Sequence, residues 1–128
     1  MQNHDKAAVE KSLNNYFSSL NGSDVKGSVD SYTADGVFLG AGSPSAIGTA
    51  QLITAYEYLF EAIQLTVNVN FDEVIIKDDI AFVRTHSNGT VLIHATGTTI
   101  AAENREFFLL RKEKDEWKIA RYMFNQPK

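Results

Sequence analysis

The chain has 128 residues, 44% of them hydrophobic, and its 12 basic and 16 acidic side chains leave a formal charge of −4. This length supports one hydrophobic core, so a single domain over residues 1–128 is expected. The acidic balance and the lack of any basic run exclude a phosphate-tracking surface, so no nucleic-acid partner is expected. Disulfides and thiolate chemistry are excluded because the sequence contains no cysteine.

The N-terminal segment MQNHDKAAVEKS is polar, whereas a signal peptide needs an apolar core. No apolar run in the sequence approaches the roughly 20 residues that a membrane-spanning helix requires. We therefore expect a cytoplasmic protein that makes no contact with a membrane.

Helical periodicity dominates the first half of the sequence. The first segment has the spacing of one helical face in five apolar residues: Val9, Leu13, Tyr16, Phe17 and Leu20. Asn21-Gly22 ends this helix, and Asp24 caps a shorter second helix that carries Tyr32 on its buried side. A third helix is expected from its cap at Thr49 to about Ile63.

The apolar period changes to two at Leu65, which indicates strands. Asp78-Asp79 predicts a turn, and Ile80–Ala95 predicts a long strand that pairs on both sides. Asn88-Gly89 within that strand is interpreted as a β-bulge, with a hairpin turn as the alternative. The next turn is then expected near Thr98–Ala102.

The segment Arg105–Gln126 predicts a β-hairpin at the middle of the sheet, with apolar residues on both faces. In the second strand, strict alternation places Trp117, Ile119 and Met123 on one face and Ala120, Tyr122 and Phe124 on the other. The first set would form an exposed apolar patch on the convex face of the sheet. We therefore predict a homodimer through that face.

Together these patterns predict an α+β fold, with three helices from the N-terminal half packed on the concave face of a curved, cone-shaped antiparallel sheet. A pocket is expected between the helices and the sheet.

Three stretches of the sequence resemble the nuclear transport factor 2-like superfamily, and within it the SnoaL-like and ketosteroid-isomerase-like small domains. They are DVKGSVDSYTADGVFLGAGSPSAIGTAQLI, VRTHSNGT and EWKIARYMFNQ. The resemblance covers nearly the whole chain and implies the cone-shaped fold. It leaves the activity open, because the superfamily includes isomerases, cyclases, dehydratases and binding domains.

The resemblance also implies roles for particular residues. Tyr16, Tyr32 and Tyr56 match the places where ketosteroid isomerases carry three hydrogen-bonded tyrosines at the floor of the pocket. An ungapped alignment puts Gly40 at the position of the general-base aspartate. Counting back from the C-terminal strand puts Phe107 at the position of the acid that holds the oxyanion. Both carboxyl groups of the isomerases are therefore expected to be missing.

Two residues are candidate catalytic groups. Tyr16 is expected to donate a hydrogen bond to a ligand oxygen; the alternative is a core aromatic residue whose hydroxyl bonds other tyrosines. His86 is the histidine best placed to act as a general base, with a structural role as the alternative. Further ligand contacts are expected from nine residues: Tyr32, Phe38, Tyr56, Leu59, Phe60, Arg105, Phe107, Tyr122 and Phe124.

No metal or cofactor is expected. Along one strand, His86 and His94 would lie about 26 Å apart at ~3.3 Å per residue. With a hairpin turn at Asn88-Gly89, His94 would face Val83 and not His86, so a shared metal ion is not expected in either register. The glycines around Gly40 do not form a nucleotide-binding motif.

Two functions remain open. The first is binding a small, apolar, oxygen-bearing compound, with an isomerase-type or cyclase-type proton transfer if the protein is an enzyme. The second is a non-catalytic dimerising or adaptor module whose pocket is filled by its own side chains.

Overall fold

A computed structural model describes the backbone of residues 2–127 and the side chains of residues 4–127. The helices are α1 (Gln2–Asn21), α2 (Val25–Asp30) and α3 (Gly48–Ala62). The strands are β1 (Tyr32–Leu39), β2 (Ala46–Ile47), β3 (Ile63–Lys77), β4 (Ile80–Ile93), β5 (Thr98–Glu113) and β6 (Glu116–Asn125). The predicted α+β fold is confirmed.

The helices form largely where the sequence predicts them. All five apolar residues of the predicted face of α1 are buried. Asp24 caps α2 as expected, because its Oδ1 atom accepts a hydrogen bond from the backbone N–H of Gly27 at 3.0 Å. Thr49 does not cap α3, whose N-cap is Ile47 without a side-chain hydrogen bond. Tyr32 is buried, but it begins β1 and is not part of α2.

The strands form one curved, unclosed sheet in the order β2-β1-β6-β5-β4-β3. The hairpin of β5 and β6 lies at its middle, as predicted. All neighbouring strands are antiparallel except β1 and β6, which pair in parallel, so the sheet is mixed. The end of α1 is fixed to the sheet by Asn21, whose side chain bonds the backbone C=O and N–H of Val67 at 2.9 Å each.

The turn at Asp78-Asp79 is confirmed, but both interpretations of Asn88-Gly89 are wrong. Strand β4 pairs without interruption through these two residues on both sides. Gly89 is needed there because a Cβ atom would collide with the carbonyl oxygen of Thr66. The next turn comes before Thr98, between β4 and β5, and not at Thr98–Ala102.

Strand β6 contains a bulge at Ala120. Leu109 pairs with Arg121 and Leu110 pairs with Ile119, so Ala120 has no partner on β5. One extra residue reverses the alternation of side chains along the rest of a strand. The two halves of β6 therefore present opposite sets of residues to the helices.

This bulge corrects the predicted face assignment. Trp117 and Ile119 are 4% and 1% exposed, and they belong to the same buried core as Tyr122. Only Met123 of the predicted interface is exposed, at 48%. The convex-face patch of Trp117, Ile119 and Met123 is therefore wrong, because Trp117 and Ile119 face the helices.

A different group of apolar side chains is exposed on the face of the sheet away from the helices. This outer face carries Ile75, Ile80, Phe82, Phe107 and Met123, each at least 40% exposed. The rings of Phe82 and Phe107 stack there with their centroids 6.1 Å apart.

Among residues 2–127, no helix has both the length and the hydropathy needed to cross a membrane.

Candidate functional site

A cavity of about 1290 Å³ opens between the helices and the inner face of the sheet. Its walls come from α1, α3, the segment between β1 and α3, and the inner face of β3–β6. Six of the residues expected to contact a ligand or act on it line this cavity: Tyr16, Phe38, Tyr56, Leu59, Tyr122 and Phe124. Gly40 lines it as well.

Two further predicted residues lie behind this wall. The hydroxyl of Tyr32 is 2.7 Å from that of Tyr56, and the ring of Phe60 lies 5.8 Å from the ring of Tyr56. Neither Tyr32 nor Phe60 lines the cavity itself. They support Tyr56 and are not placed to touch a ligand directly.

Three predicted site residues lie on the outer face, and their predicted placement in the pocket is wrong. The Nδ1 atom of His86 is 2.9 Å from Oδ2 of Asp72. The adjacent residues of β4, Thr85 and Ser87, point inward, so His86 points outward. Arg105 donates from Nε to Oδ1 of Asn125 at 2.9 Å. Phe107 is 40% exposed. Side chains alternate between the faces of a strand, so none of the three can reach a ligand in the cavity.

The three tyrosines form a chain of hydroxyl groups. Tyr56 is the middle member, with its hydroxyl 2.5 Å from that of Tyr16 and 2.7 Å from that of Tyr32. This satisfies the alternative interpretation, in which the hydroxyls bond each other, but Tyr16 and Tyr56 also line the cavity. Burial raises the pKa of all three phenols, so each keeps its proton near neutral pH.

The number of protons in this chain leaves one hydroxyl hydrogen free. Three phenols carry three O–H groups, and two of these are used within the chain. If Tyr32 donates to Tyr56 and Tyr56 donates to Tyr16, the hydrogen of Tyr16 points away from the other two. Because Tyr16 lines the cavity, this arrangement offers a donor to a ligand oxygen.

Stacked rings form an apolar wall beside the hydroxyls. The ring of Phe38 lies between those of Tyr56 and Tyr122, with each centroid separation 5.3 Å and interplanar angles of 11° and 8°. Phe108 continues the stack behind Tyr122 at 4.2 Å. Phe124 stacks on Phe38 at 6.0 Å. Such a wall suits a flat apolar molecule.

Glu106 is a functional candidate that the sequence reasoning missed. Glu106 is 4% exposed, lies on the inner face of β5 and lines the cavity. Thr85 donates from Oγ1 to Oε1 of Glu106 at 2.7 Å, and Ser87 donates from Oγ to Oε2 at 2.6 Å. Burial raises the pKa of the Glu106 carboxyl, and the two hydroxyl donors oppose this rise. A buried carboxyl group in a cavity, with a pKa above its ordinary value, is a candidate proton carrier.

The alternation of β5 places Glu106, and not Phe107, on the inner face of the sheet. The count back from Arg121 ends on Phe107, which faces outward. The inward-facing residue at this level of the wall is Glu106, which pairs with Phe124 across the hairpin. A weaker signal was present, because Glu106 is in phase with the apolar residue Phe108.

Gly40 provides no proton carrier. A Cβ atom at this residue would lie 3.2 Å from Cζ of Phe38 and 3.6 Å from Cε1 of Phe124, so a side chain here would reach the aromatic wall. The buried carboxyl group of this cavity therefore comes from Glu106 on β5 and not from the segment after β1.

In the part of the chain with described side chains, no three His, Asp or Glu residues lie together as a metal site requires. The polar groups of the cavity are hydroxyl, amide and carboxyl groups, which suit hydrogen bonding to an organic molecule.

The family model of the SnoaL-like domain matches residues 13–122. The chain belongs to the SnoaL-like domain family. The predicted relation to the nuclear transport factor 2-like superfamily is thereby confirmed. No curated protein matches this SnoaL-like domain.

Solved structures resemble this SnoaL-like domain over almost its whole length. A ketosteroid isomerase-like protein from Erwinia carotovora atroseptica SCRI1043 is 34% identical, with 95% of each chain covered and a TM-score of 0.91. A nuclear transport factor 2-like superfamily protein from Salmonella enterica serovar Typhimurium LT2 is 15% identical, with 100% of this chain and 94% of that chain covered and a TM-score of 0.88. A protein with a cystatin-like fold from Novosphingobium aromaticivorans is 17% identical, with 97% and 82% covered and a TM-score of 0.77. The last two show the fold alone.

Proposed function

We propose that the protein binds a small, apolar, oxygen-bearing compound in its cavity and moves a proton on it. Glu106 carries the proton, and Tyr16 holds the oxygen. One observation carries this proposal: a buried carboxyl group and a chain of protonated phenols line the same apolar cavity. The likeness to a ketosteroid isomerase-like protein supports the same class of reaction.

The reaction that fits these groups is the transfer of a proton next to a carbonyl group. The Glu106 carboxylate removes a proton from the carbon beside the carbonyl. The electron pair of that C–H bond forms the C=C bond of an enolate, and the π electron pair of the carbonyl group moves to its oxygen. Tyr16 stabilises the resulting enolate oxygen by donating a hydrogen bond. If Glu106 returns its proton to the same carbon, the result is hydrogen exchange. If the substrate has a C=C bond beside that carbon, the enolate is a dienolate, and return of the proton to its far carbon completes an isomerisation. A positioned base of this kind contributes about 10²–10⁴-fold to the rate.

The raised pKa of Glu106 favours this role. A carboxylate whose pKa is raised by burial binds a proton more strongly than an ordinary carboxylate, and it is therefore the stronger base. Thr85 and Ser87 fix both oxygens of the carboxyl group, so its orientation toward the cavity is held.

The alternative function, a non-catalytic module with a self-filled pocket, is less favoured by the geometry. A cavity of about 1290 Å³ is at least as large as ordinary ligand sites, which measure roughly 300–1,000 Å³. Dimerisation remains part of the proposal, through the exposed apolar residues of the outer face such as Phe82 and Phe107.

The test is hydrogen exchange at carbon, because it does not require the natural substrate to be known. 2-Tetralone and cyclic enones are incubated in D₂O with the protein, and deuterium uptake beside the carbonyl is followed by NMR. We expect the wild type to accelerate exchange, Glu106→Gln to lose about 10²-fold or more, and Tyr16→Phe to lose about tenfold or more.

His86→Gln is the matched control, because His86 lies on the outer face and should leave the exchange rate unchanged. Thermal unfolding of each variant establishes that it is folded. Acceleration that survives Glu106→Gln in full would refute the assignment of the base, and so would the absence of acceleration with every ketone.

A further inference from the structure

The charged groups around the cavity are all of one sign. Among the lining residues that the structure describes, the ionisable acids are Glu103 and Glu106, and no lysine, arginine or histidine is present. Glu103 is exposed, whereas Glu106 is buried and bonded only by the neutral hydroxyls of Thr85 and Ser87. The cavity therefore has negative charge without a positive side chain to balance it.

A ligand with its own negative charge would meet two penalties in this cavity. Its charged group would leave water, and it would then lie near the like charge of Glu106 without a compensating cation. Sites that recognise carboxylates and phosphates usually supply arginine or lysine for this reason. An uncharged ligand meets neither penalty, and the rings of Phe38, Tyr122 and Phe124 offer it a flat apolar contact.

The proposed reaction gives a second reason. In that reaction an ionised Glu106 and a neutral ketone become a protonated Glu106 and an enolate, so the cavity contains one negative charge before and after the step. An anionic substrate would add a second charge at every stage. The tyrosine hydroxyls can stabilise one oxyanion but provide no full positive charge.

We propose that the substrate is an uncharged, flat carbonyl compound and that Glu106 is the residue that rejects carboxylates, phosphates and sulfonates. The carbonyl part of this inference rests on the proposed function, whereas the charge selection rests on the lining of the cavity alone. Glu106 would then act twice, as the base of the reaction and as the determinant of charge specificity.

Two fluorescent probes with the same aromatic skeleton test the charge selection. N-phenyl-1-naphthylamine is uncharged, and 1-anilinonaphthalene-8-sulfonate differs by one sulfonate group. At pH 8 we expect the uncharged probe to bind the wild type at least about tenfold more tightly, since a like charge in a partly desolvated site is strongly repelled. Glu106→Gln should reduce this preference severalfold, whereas Glu103→Gln at the exposed rim should leave it nearly unchanged.

Position 54 provides a variant that does not disturb the buried carboxyl group. Thr54 is exposed and lines the cavity, so Thr54→Lys adds a positive charge at little cost to folding. We expect it to improve binding of the sulfonate probe severalfold without improving binding of the uncharged probe. Thr54→Trp places a bulky ring at the same wall and should weaken both probes, which locates their binding in the cavity and not on the outer face.

Equal affinity of the two probes in the wild type, with both weakened by Thr54→Trp, would overturn the inference. Failure of the uncharged probe to bind would overturn it as well. Neither result depends on catalysis. The hydrogen-exchange assay decides the proposed function separately, so binding selection without exchange, or exchange without selection, tells which of the two proposals has failed.

Discussion

The chain of hydroxyl groups predicts an unequal cost for removing one oxygen from each tyrosine. Tyr56 is fully buried, and its hydroxyl is hydrogen-bonded to the hydroxyls of both Tyr16 and Tyr32. The hydroxyls of Tyr16 and Tyr32 each bond that of Tyr56 and not each other. A net hydrogen bond contributes about 0.5–1.5 kcal/mol, and a buried polar group left without a partner costs about 1–3 kcal/mol. We expect Tyr16→Phe and Tyr32→Phe each to lower the free energy of unfolding by about 1 kcal/mol, because the remaining two hydroxyls still bond each other.

Tyr56→Phe deletes the one oxygen that takes part in both hydrogen bonds. The buried hydroxyls of Tyr16 and Tyr32 then each lose their partner. We expect a loss of about 2–4 kcal/mol. The double variant Tyr16→Phe/Tyr32→Phe also removes both bonds, but it leaves only the hydroxyl of Tyr56 without a partner. Deleting the two outer oxygens should therefore cost no more than deleting the middle one.

Urea unfolding at pH 7 and 25 °C, followed by circular dichroism, measures these differences if the dependence of the free energy on urea stays constant. The double variant is compared with both single variants to test additivity. Equal losses at all three positions, or a smaller loss for Tyr56→Phe than for Tyr16→Phe, would refute the hydroxyl chain as a stabilising unit.

Two further predictions concern Glu106 and the outer face. Burial raises the folded-state pKa of Glu106 above its ordinary value of 4.5, so the folded protein holds this proton more tightly than the unfolded chain does. The stability that this group contributes is fully present below pH 4.5 and is lost as the pH rises through the folded-state pKa. Glu106→Gln should therefore flatten this part of the curve of unfolding free energy against pH, measured by urea unfolding. An unchanged curve would contradict the raised pKa. For the outer face, light scattering should give a dimer for the wild type and a folded monomer for Phe82→Lys. Trp117→Glu should prevent folding, because Trp117 is buried in the core. A monomeric wild type at tens of micromolar would count against the interface.

The fold could be predicted where local patterns decide it. The face of α1 follows from helical spacing, because buried residues three and four apart lie on one side of a helix. The turn at Asp78-Asp79 follows from residue types that favour turns. The parallel pairing of β1 with β6 could not be predicted in this way, because no local signal states which distant strand a strand will join.

The site could be predicted only in part, because single extra residues control which way a strand faces. Tyr16, Tyr56 and Tyr122 lie on the cavity as expected. Ala120 resembles any other strand residue in composition, yet it reverses the faces of β6, whereas the inward position of Glu106 follows from the alternation of β5 itself. The charged neighbours of Glu106 in the sequence concealed it, since such a segment usually lies in solvent.

The parallel pairing of β1 with β6 has a consequence for the order of folding. Arg121 of β6 contacts the backbone of Asp35, a residue 86 positions earlier in the chain. The loop that must close before these strands can pair therefore contains 86 of the 128 residues, about two-thirds of the chain, and contacts over such separations slow folding. Helix α1 forms from local signals, but Trp117, Ile119 and Tyr122, which cover it, arrive on the last strand. During synthesis the part of this apolar surface that β6 covers therefore stays exposed until this last strand has emerged from the ribosome.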